Sequence, residues 1–154
     1  MKVLNYLMVM CLAVFATACS NDDEPTLSPS EQAGLSKTYE VDAAFFVGEP
    51  DGKTTETTVE LDVKNNKATL KTPALGGGPM GVKAMTIKDI SVSKVSENKY
   101  VFVKDAFDLP MDGIVYKVAV SEKSVIIDGK MNFELSVKPG EMPMSFTLTF
   151  VSGK

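Results

Sequence analysis

From Lys37 onward the chain alternates apolar and polar residues with period two, in run after run. That pattern suits strands with one face buried and one face in water, and it fits no amphipathic helix. Tyr39, Val41, Ala43, Phe45 and Val47 share one side of the first run, with Glu40 and Asp42 on the other. Val59, Leu61 and Val63 alternate with acids and a lysine in the second, and Ala68 and Leu70 mark a short third. Asn65-Asn66 between the last two suits a tight hairpin, because Asn tolerates positive φ.

The fourth run, Met85 to Val95, changes phase. Met85 and Ile87 lie on one face and Ile90 and Val92 on the other, so one extra residue near Asp89 predicts a β-bulge. Run five spans Tyr100 to Phe107, entered through Glu97-Asn98. Run six alternates Ile114, Tyr116, Val118 and Val120. Run seven, entered through Glu122-Lys123, alternates Val125, Ile127, Met131, Phe133 and Leu135, and run eight carries Met144, Phe146, Leu148 and Phe150. The reading is all-β, eight strands without a helix. Short turns make neighbours antiparallel, and an eight-stranded meander invites closure into an up-and-down barrel that removes its exposed edges. The alternative is a two-sheet β-sandwich. An eight-stranded barrel has room for its own side chains or one small ligand. The inward set, including Tyr39, Phe45, Leu61, Leu70, Tyr116, Ile127, Phe133, Phe146 and Phe150, is bulky, with Ala43 and Gly129 the small exceptions. A ligand would therefore sit at the barrel mouth.

The N-terminal 19 residues read MKVLNYLMVMCLAVFATAC. A lysine, a short apolar run and small residues before a cysteine form a secretory signal, too short for a membrane span. Ala16-Thr17-Ala18-Cys19 resembles the lipobox of bacterial lipoproteins, with Ala16 where Leu is usual. The resemblance implies cleavage before Cys19 and lipid attachment to it, which anchors the chain in a membrane. Ser20-Asn21-Asp22-Asp23-Glu24 resembles the surface-export tag of Bacteroides-group lipoproteins. It implies an outer-membrane protein displayed at the cell surface, with a periplasm-facing anchor as the alternative. The expected organisation is a signal over 1–18, a lipidated Cys19 with an acidic, Pro- and Ser-bearing linker over 19–36, and a β-barrel domain over 37–154.

A wider resemblance rests on four features: a Tyr-bearing first strand, the turn Gly-Pro-Met-Gly-Val, the strand Ile87-Lys88-Asp89-Ile90-Ser91-Val92, and a final Phe-Thr-Leu-Thr-Phe. Over about residues 36 to 151 these are similar to the calycin-like, or lipocalin-like, lipoproteins of gut Bacteroides. The resemblance implies a lipocalin-like barrel and supplies no site residues.

Absences narrow the chemistry. The sequence has no His, no Trp and no Arg, and its two cysteines are Cys11 inside the signal and Cys19. The barrel region thus lacks the usual neutral-pH general base, a guanidinium clamp, a thiol nucleophile and a thiolate metal site. Nucleophilic catalysis would need a Ser–Lys pair, which no spacing identifies, and the remaining enzyme class would be a hydrolase using carboxylates alone. Net charge is −4, and losing Lys2 with the signal makes it more acidic, so nucleic acid is a poor partner. Gly76-Gly77-Gly78-Pro79-Met80-Gly81 is not a phosphate loop, because Lys83 precedes Ala84 and a strand rather than a helix. It reads as a flexible connection over the mouth, or as a gate. Asp105, Asp108 and Asp112 have the wrong spacing for a calcium loop and read as a solvated turn. Met85, Met131 and Met144 read as core filler. Met80, Met111 and Met142 fall in predicted loops, and with Gly77 and Gly78 they would form an apolar contact rim if those loops share one end. The expected function is a non-enzymatic, membrane-anchored binding module for a small apolar ligand at the mouth, without cofactor or metal. The alternative is contact with a protein partner, as a surface protein or accessory subunit of a larger outer-membrane complex.

Overall fold

Eight strands follow one another in chain order around a closed antiparallel barrel, with the last paired to the first. They are β1 Lys37–Phe46, β2 Thr55–Lys64, β3 Lys67–Thr72, β4 Met85–Ser96, β5 Lys99–Met111, β6 Ile114–Ile127, β7 Lys130–Pro139 and β8 Phe146–Val151. The computed structural model describes residues 26–153. Cys19, the segment read as a signal and the acidic cluster after it lie outside the described residues. Closure runs from Asp42↔Val151 to Phe46↔Thr147, so the meander, and not the sandwich, is the architecture.

The alternation turns most of the apolar side chains inward. Leu70, Ile87, Phe102, Val118, Phe133, Leu148 and Phe150 have no exposed surface, and Phe102 packs on Phe133 with ring centroids 4.8 Å apart. The interior is therefore filled with side chains, as an eight-stranded barrel allows. The outer wall is mostly polar, with Val95, Val103, Val115, Ile127 and Val151 as exposed apolar exceptions. Glu40 and Asp42 on β1, Thr58, Glu60 and Asp62 on β2, and Asn132, Glu134 and Ser136 on β7 stand on the faces opposite the buried ones. A barrel that crosses a bilayer needs the inverse, an apolar band outside.

The bulge in β4 is where the phase change predicts it. Ala68 pairs with Ile90 but Leu70 with Ile87, and Asp89 takes φ 56° to carry the extra residue. Asn65 and Asn66 both have positive φ, as the hairpin requires.

Elsewhere the structure corrects the reading. Glu122-Lys123 is not a turn, because β6 runs through it and the hairpin is Asp128-Gly129, with φ of 52° and 76°. Between Val120 and Val125 the strand carries two residues more than β7, an outward excursion that polar residues tolerate. The buried Ser124 hydroxyl bridges the gap, accepting from Glu134 N (3.0 Å) and donating to Glu134 O (3.2 Å). Ile126 therefore points inward and Ile127 outward, and Gly129 belongs to a turn and not to the interior. Strand β5 extends to Met111, which places Asp105 and Asp108 within it and leaves Asp112-Gly113 alone as the turn. Val47 and Met144 fall just beyond the ends of β1 and β8 and are exposed, not core.

The stretch read as linker also contains structure. Helix α1, Pro29–Leu35, starts with a capping box: Glu31 N donates to Ser28 Oγ (3.3 Å) and Ser28 N to Glu31 Oε2 (2.8 Å), with Pro29 preset in the first turn. Seven residues do not hold a helix alone. Leu27 and Leu35 are buried against one end of the barrel, and Tyr39 Oη donates to Leu35 O (3.0 Å). Burial pushes the Tyr39 phenol up to about 12. Leu27 N donates to Asn66 Oδ1 (2.9 Å), and Asn65 N to Gln32 Oε1 (2.7 Å).

Candidate functional site

A closed meander sends its connections alternately to opposite ends. The helix α1 and the turns Asn65-Asn66, Glu97-Asn98 and Asp128-Gly129 share one pole. The other pole gathers the connections 47–54, 73–84, 112–113 and 140–145. Gly77, Gly78, Met80, Met111 and Met142 all belong to this second, loop pole. Specific contacts bind its connections together. Lys83 forms an ion pair with Asp112, Gly140 N donates to Val115 O (2.8 Å), and the Phe45 and Phe146 rings lie 4.9 Å apart.

The long connection 73–84 plugs this pole. Leu75 and Val82 pair through two backbone hydrogen bonds of 2.8 Å, and both are buried within the core. The chain doubles back so tightly that a Cβ on Gly81 would stand 3.3 Å from the backbone of Leu75, Gly76 and Gly77, and one on Gly76 would stand 3.2 Å from Gly81 Cα. The glycines thus serve a folded plug, which answers why the segment is glycine-rich without any phosphate. Its tip is the 3₁₀ turn Gly78–Met80.

Around the plug several large apolar side chains stand open among charged ones. Met80 and Met144 are 49% exposed, Ile114 47%, Val115 49%, Val47 41% and Met142 39%. Val47, Met80, Met142 and Met144 stand open on three of the connections and Ile114 and Val115 on the first two residues of β6, and together they make up the crown of this pole. Met111 differs from the expectation for it, because it ends β5 half-buried and packs on the core beneath the crown with Phe45 and Leu109. Gly77 and Gly78 have open space around them. Three surface depressions lie elsewhere. One of about 460 Å³ crosses the outer wall over β8, β1 and β2, one of about 390 Å³ lies beside α1, and one of about 370 Å³ lies over β4 and β5.

The charges at both poles are structural in geometry. Lys83 beside Asp112 holds that carboxyl below its ordinary range and is itself raised by it. At the α1 pole Glu31 Oε1 accepts from Lys94 Nζ (2.5 Å) and Tyr100 Oη (3.3 Å), and the Lys94 bond first, then the bonds with the Ser28 backbone and hydroxyl, hold its carboxyl down at about 2. The signal for that site, Ser28-Pro29-x-Glu31, was present in the sequence. Among the described residues, no group of three or more acids is placed to hold a metal ion. A Ser–Lys contact does occur, Lys67 Nζ to Ser91 Oγ at 3.0 Å, but it is on the exposed wall. There the Lys67 side chain donates a hydrogen bond to the hydroxyl in open solvent.

No protein-family model matches the chain, and no curated protein matches it either. A solved structure does, that of a Bacteroides fragilis protein described as a "putative outer membrane protein". It superposes with a TM-score of 0.59 at 16% sequence identity over 80% of this chain. The chain spans about half, 52%, of that protein's resolved length. At this identity the likeness concerns the fold.

Proposed function

We propose that this chain is an outer-membrane lipoprotein, anchored through Cys19 and displayed at the surface, that acts as a non-enzymatic binding module through the apolar crown at its loop pole. The observation that carries the reading is the inversion of surfaces. The interior is filled, and of the ten large apolar side chains that stand exposed among the described residues, six gather at one pole, while Val95, Val103, Ile127 and Val151 lie elsewhere. Monomeric surfaces rarely leave such a group uncovered unless something binds there. A mostly polar wall also leaves membrane association to a lipid, which the lipobox-like segment before Cys19 supplies. The outer-membrane description of the Bacteroides fragilis protein supports the same address.

A small apolar ligand is the second reading, and one observation favours it. Phe45, Leu109 and Met111 are only partly buried at the pole that the 73–84 connection plugs. A ligand there would have to displace Leu75 and Val82. In the first reading, contact occurs on the crown and the plug stays closed.

Two measurements separate these outcomes. The full chain, expressed in a Gram-negative host, is expected in the membrane fraction with acyl mass on Cys19, and Cys19→Ser is expected to release it. A wild-type chain found outside membranes, without acyl mass, would remove the anchor. Native mass spectrometry of the chain from Ser20 onward, after incubation with polar and apolar extracts of the host environment, is expected to show the apo mass. A discrete adduct from the apolar extract would instead establish small-ligand capture.

A further inference from the structure

We infer that the barrel wall is split along the loop-pole half of its β4–β5 junction, and that an extended segment of a partner protein docks there by adding a strand. Neither the anchor nor the crown enters this inference. Strands β4 and β5 leave their turn as an ordinary hairpin, paired from Ser96↔Lys99 to Ser91↔Val103. The paired stretch includes Val92↔Phe102, so the wall is closed at the level of the Phe102–Phe133 rings. Both strands then run on, β4 back through Ile90 to Met85 and β5 from Lys104 to Met111. Among the described residues, no ladder joins these continuations to each other. Each is held on its other side instead, β4 by β3 from Ala68↔Ile90 to Thr72↔Met85, and β5 by β6 from Phe107↔Val118 to Met111↔Ile114. They are fixed sheet edges and not frayed ends.

The strands part for local reasons. Strand β4 bends at the Asp89 bulge, and β5 carries one residue more than β6 between Lys104 and Phe107. The depression of about 370 Å³ lies in the fork, lined by Ser91, Val103, Lys104, Asp105, Ala106 and Phe107. Across it Lys104 Nζ donates to Asp89 O (3.4 Å), a side chain serving a carbonyl that a neighbouring strand would serve. The Lys83–Asp112 ion pair ties the two sides together again at the loop pole, so the seam has two ends. Pro110 marks the edge. Val115 O accepts from Gly140 N, toward β7, so Pro110↔Val115 is a non-hydrogen-bonded pair and the Pro110 backbone faces the seam. By the same alternation Asp108 N–H and C=O face the seam, and Leu109 N–H faces β6. Phe107 and Leu109 stay half-buried, while Val118 and Tyr116 opposite them on β6 are buried. Backbone groups that repeat at strand spacing take another backbone, and an aliphatic ligand offers them no partner. A second barrel cannot supply one, because its own open edges point along its wall and at each other. A free extended segment fits, with apolar residues at alternate positions over Phe107 and Leu109 and polar ones in solvent.

The test follows single amides of the isotope-labelled full chain in a mild detergent by hydrogen exchange and NMR. In the free chain Asp108 N–H is expected to exchange at least about ten-fold faster than Leu109 N–H. Equal protection of the two would mean that the seam is closed, and overturns the inference. The probe is a peptide of alternating valine and threonine with a lysine at each end, and its addition is expected to slow exchange at Asp108. Two control peptides are expected to leave it unchanged: one with the same composition but its valines in a single block, and the alternating one N-methylated throughout. Asp108→Pro removes a donor on the seam side alone. It is expected to fold and to weaken binding of the labelled alternating peptide, read by fluorescence anisotropy, about five-fold. No protection by the alternating peptide, or equal binding of the N-methylated one, overturns the inference, and the second comparison holds even where Asp108→Pro does not fold. Protection of Asp108 that grows with chain concentration without peptide, together with a dimer in sedimentation, overturns it as well, because the occupant would then be a second copy.

Discussion

Phe133 lies at the centre of the filled interior, without exposed surface, its ring 4.8 Å from Phe102 and tilted 47° to it. Phe133→Ala removes the ring from a position that cannot collapse, because the wall around it is a closed hydrogen-bonded cylinder. A buried Phe→Ala change costs about 3–5 kcal/mol, and poor relaxation places this site in the upper half of that range. Loss of the aromatic pair, about 0.5–1.5 kcal/mol, falls within it. A domain of this size has a total stability of about 5–15 kcal/mol, so the variant is expected to fold with a markedly lower denaturation midpoint. Phe133→Leu, at about 1.5 kcal/mol or less, provides a milder reference. The assay is urea unfolding, with and without benzene. An apolar cavity of this kind stays dry and takes up small apolar solutes. Benzene is therefore expected to raise the midpoint of Phe133→Ala and to leave wild type unchanged. A cost below about 1.5 kcal/mol, or benzene stabilising the wild type, would falsify the close-packed interior and with it the argument that binding occurs on the outside.

Further outcomes follow from single residues. Asn66→Ala is expected to cost about 1–2 kcal/mol, from the positive φ and the lost acceptor for Leu27 N, while Asn66→Gly restores the backbone part. Equal costs for the two in urea unfolding would discard the backbone share. Ser124→Ala leaves Glu134 N–H without its partner and is expected to cost about 1–3 kcal/mol, a value that thermal unfolding would contradict by showing no shift. Glu31 is held at about 2 against an ordinary 4.5, so its contribution is complete above pH 4.5 and is lost as pH falls toward 2. Lys94 is raised above 10.5 by the same contact, so its share is present below that pH and is lost as pH rises through its folded value. Melting curves of Glu31→Gln are therefore expected to lie below wild type between pH 5 and 9 and to converge with it near pH 2. Parallel curves across the whole range would count against the Glu31–Lys94 contact.

The barrel was legible because inward and outward residues differ so sharply. Period two sets the face of every strand, and the slip at Asp89 even located a bulge. The loop pole was legible too, since an even meander must gather Met80, Met111 and Met142 at one end. Three elements hid behind competing signals. Ser-Glu-Lys-Ser over 121–124 has turn composition, and only pairing with β7 shows that it is an excursion within a strand. Asp128-Gly129 carried the stronger turn chemistry but lay between two apolar runs that read as one. Helix α1 has too few apolar positions for a periodic signal. Its evidence was the cap Ser28-Pro29-x-Glu31, with Leu27 and Leu35 on either side. The plug was hidden for a different reason: burial of Leu75 and Val82 depends on a tertiary fold of glycines that no local pattern encodes.

Methyl-labelled NMR of the chain from Ser20 onward, titrated with a small apolar probe such as benzene, tests the central claim most directly. A filled barrel predicts no shifts at Leu70, Ile87, Val118 or Leu148, whatever the probe does at the exposed methyls of the crown. Shifts at those interior methyls, with the crown unmoved, would mean that the barrel opens to ligand and that the binding site is inside it.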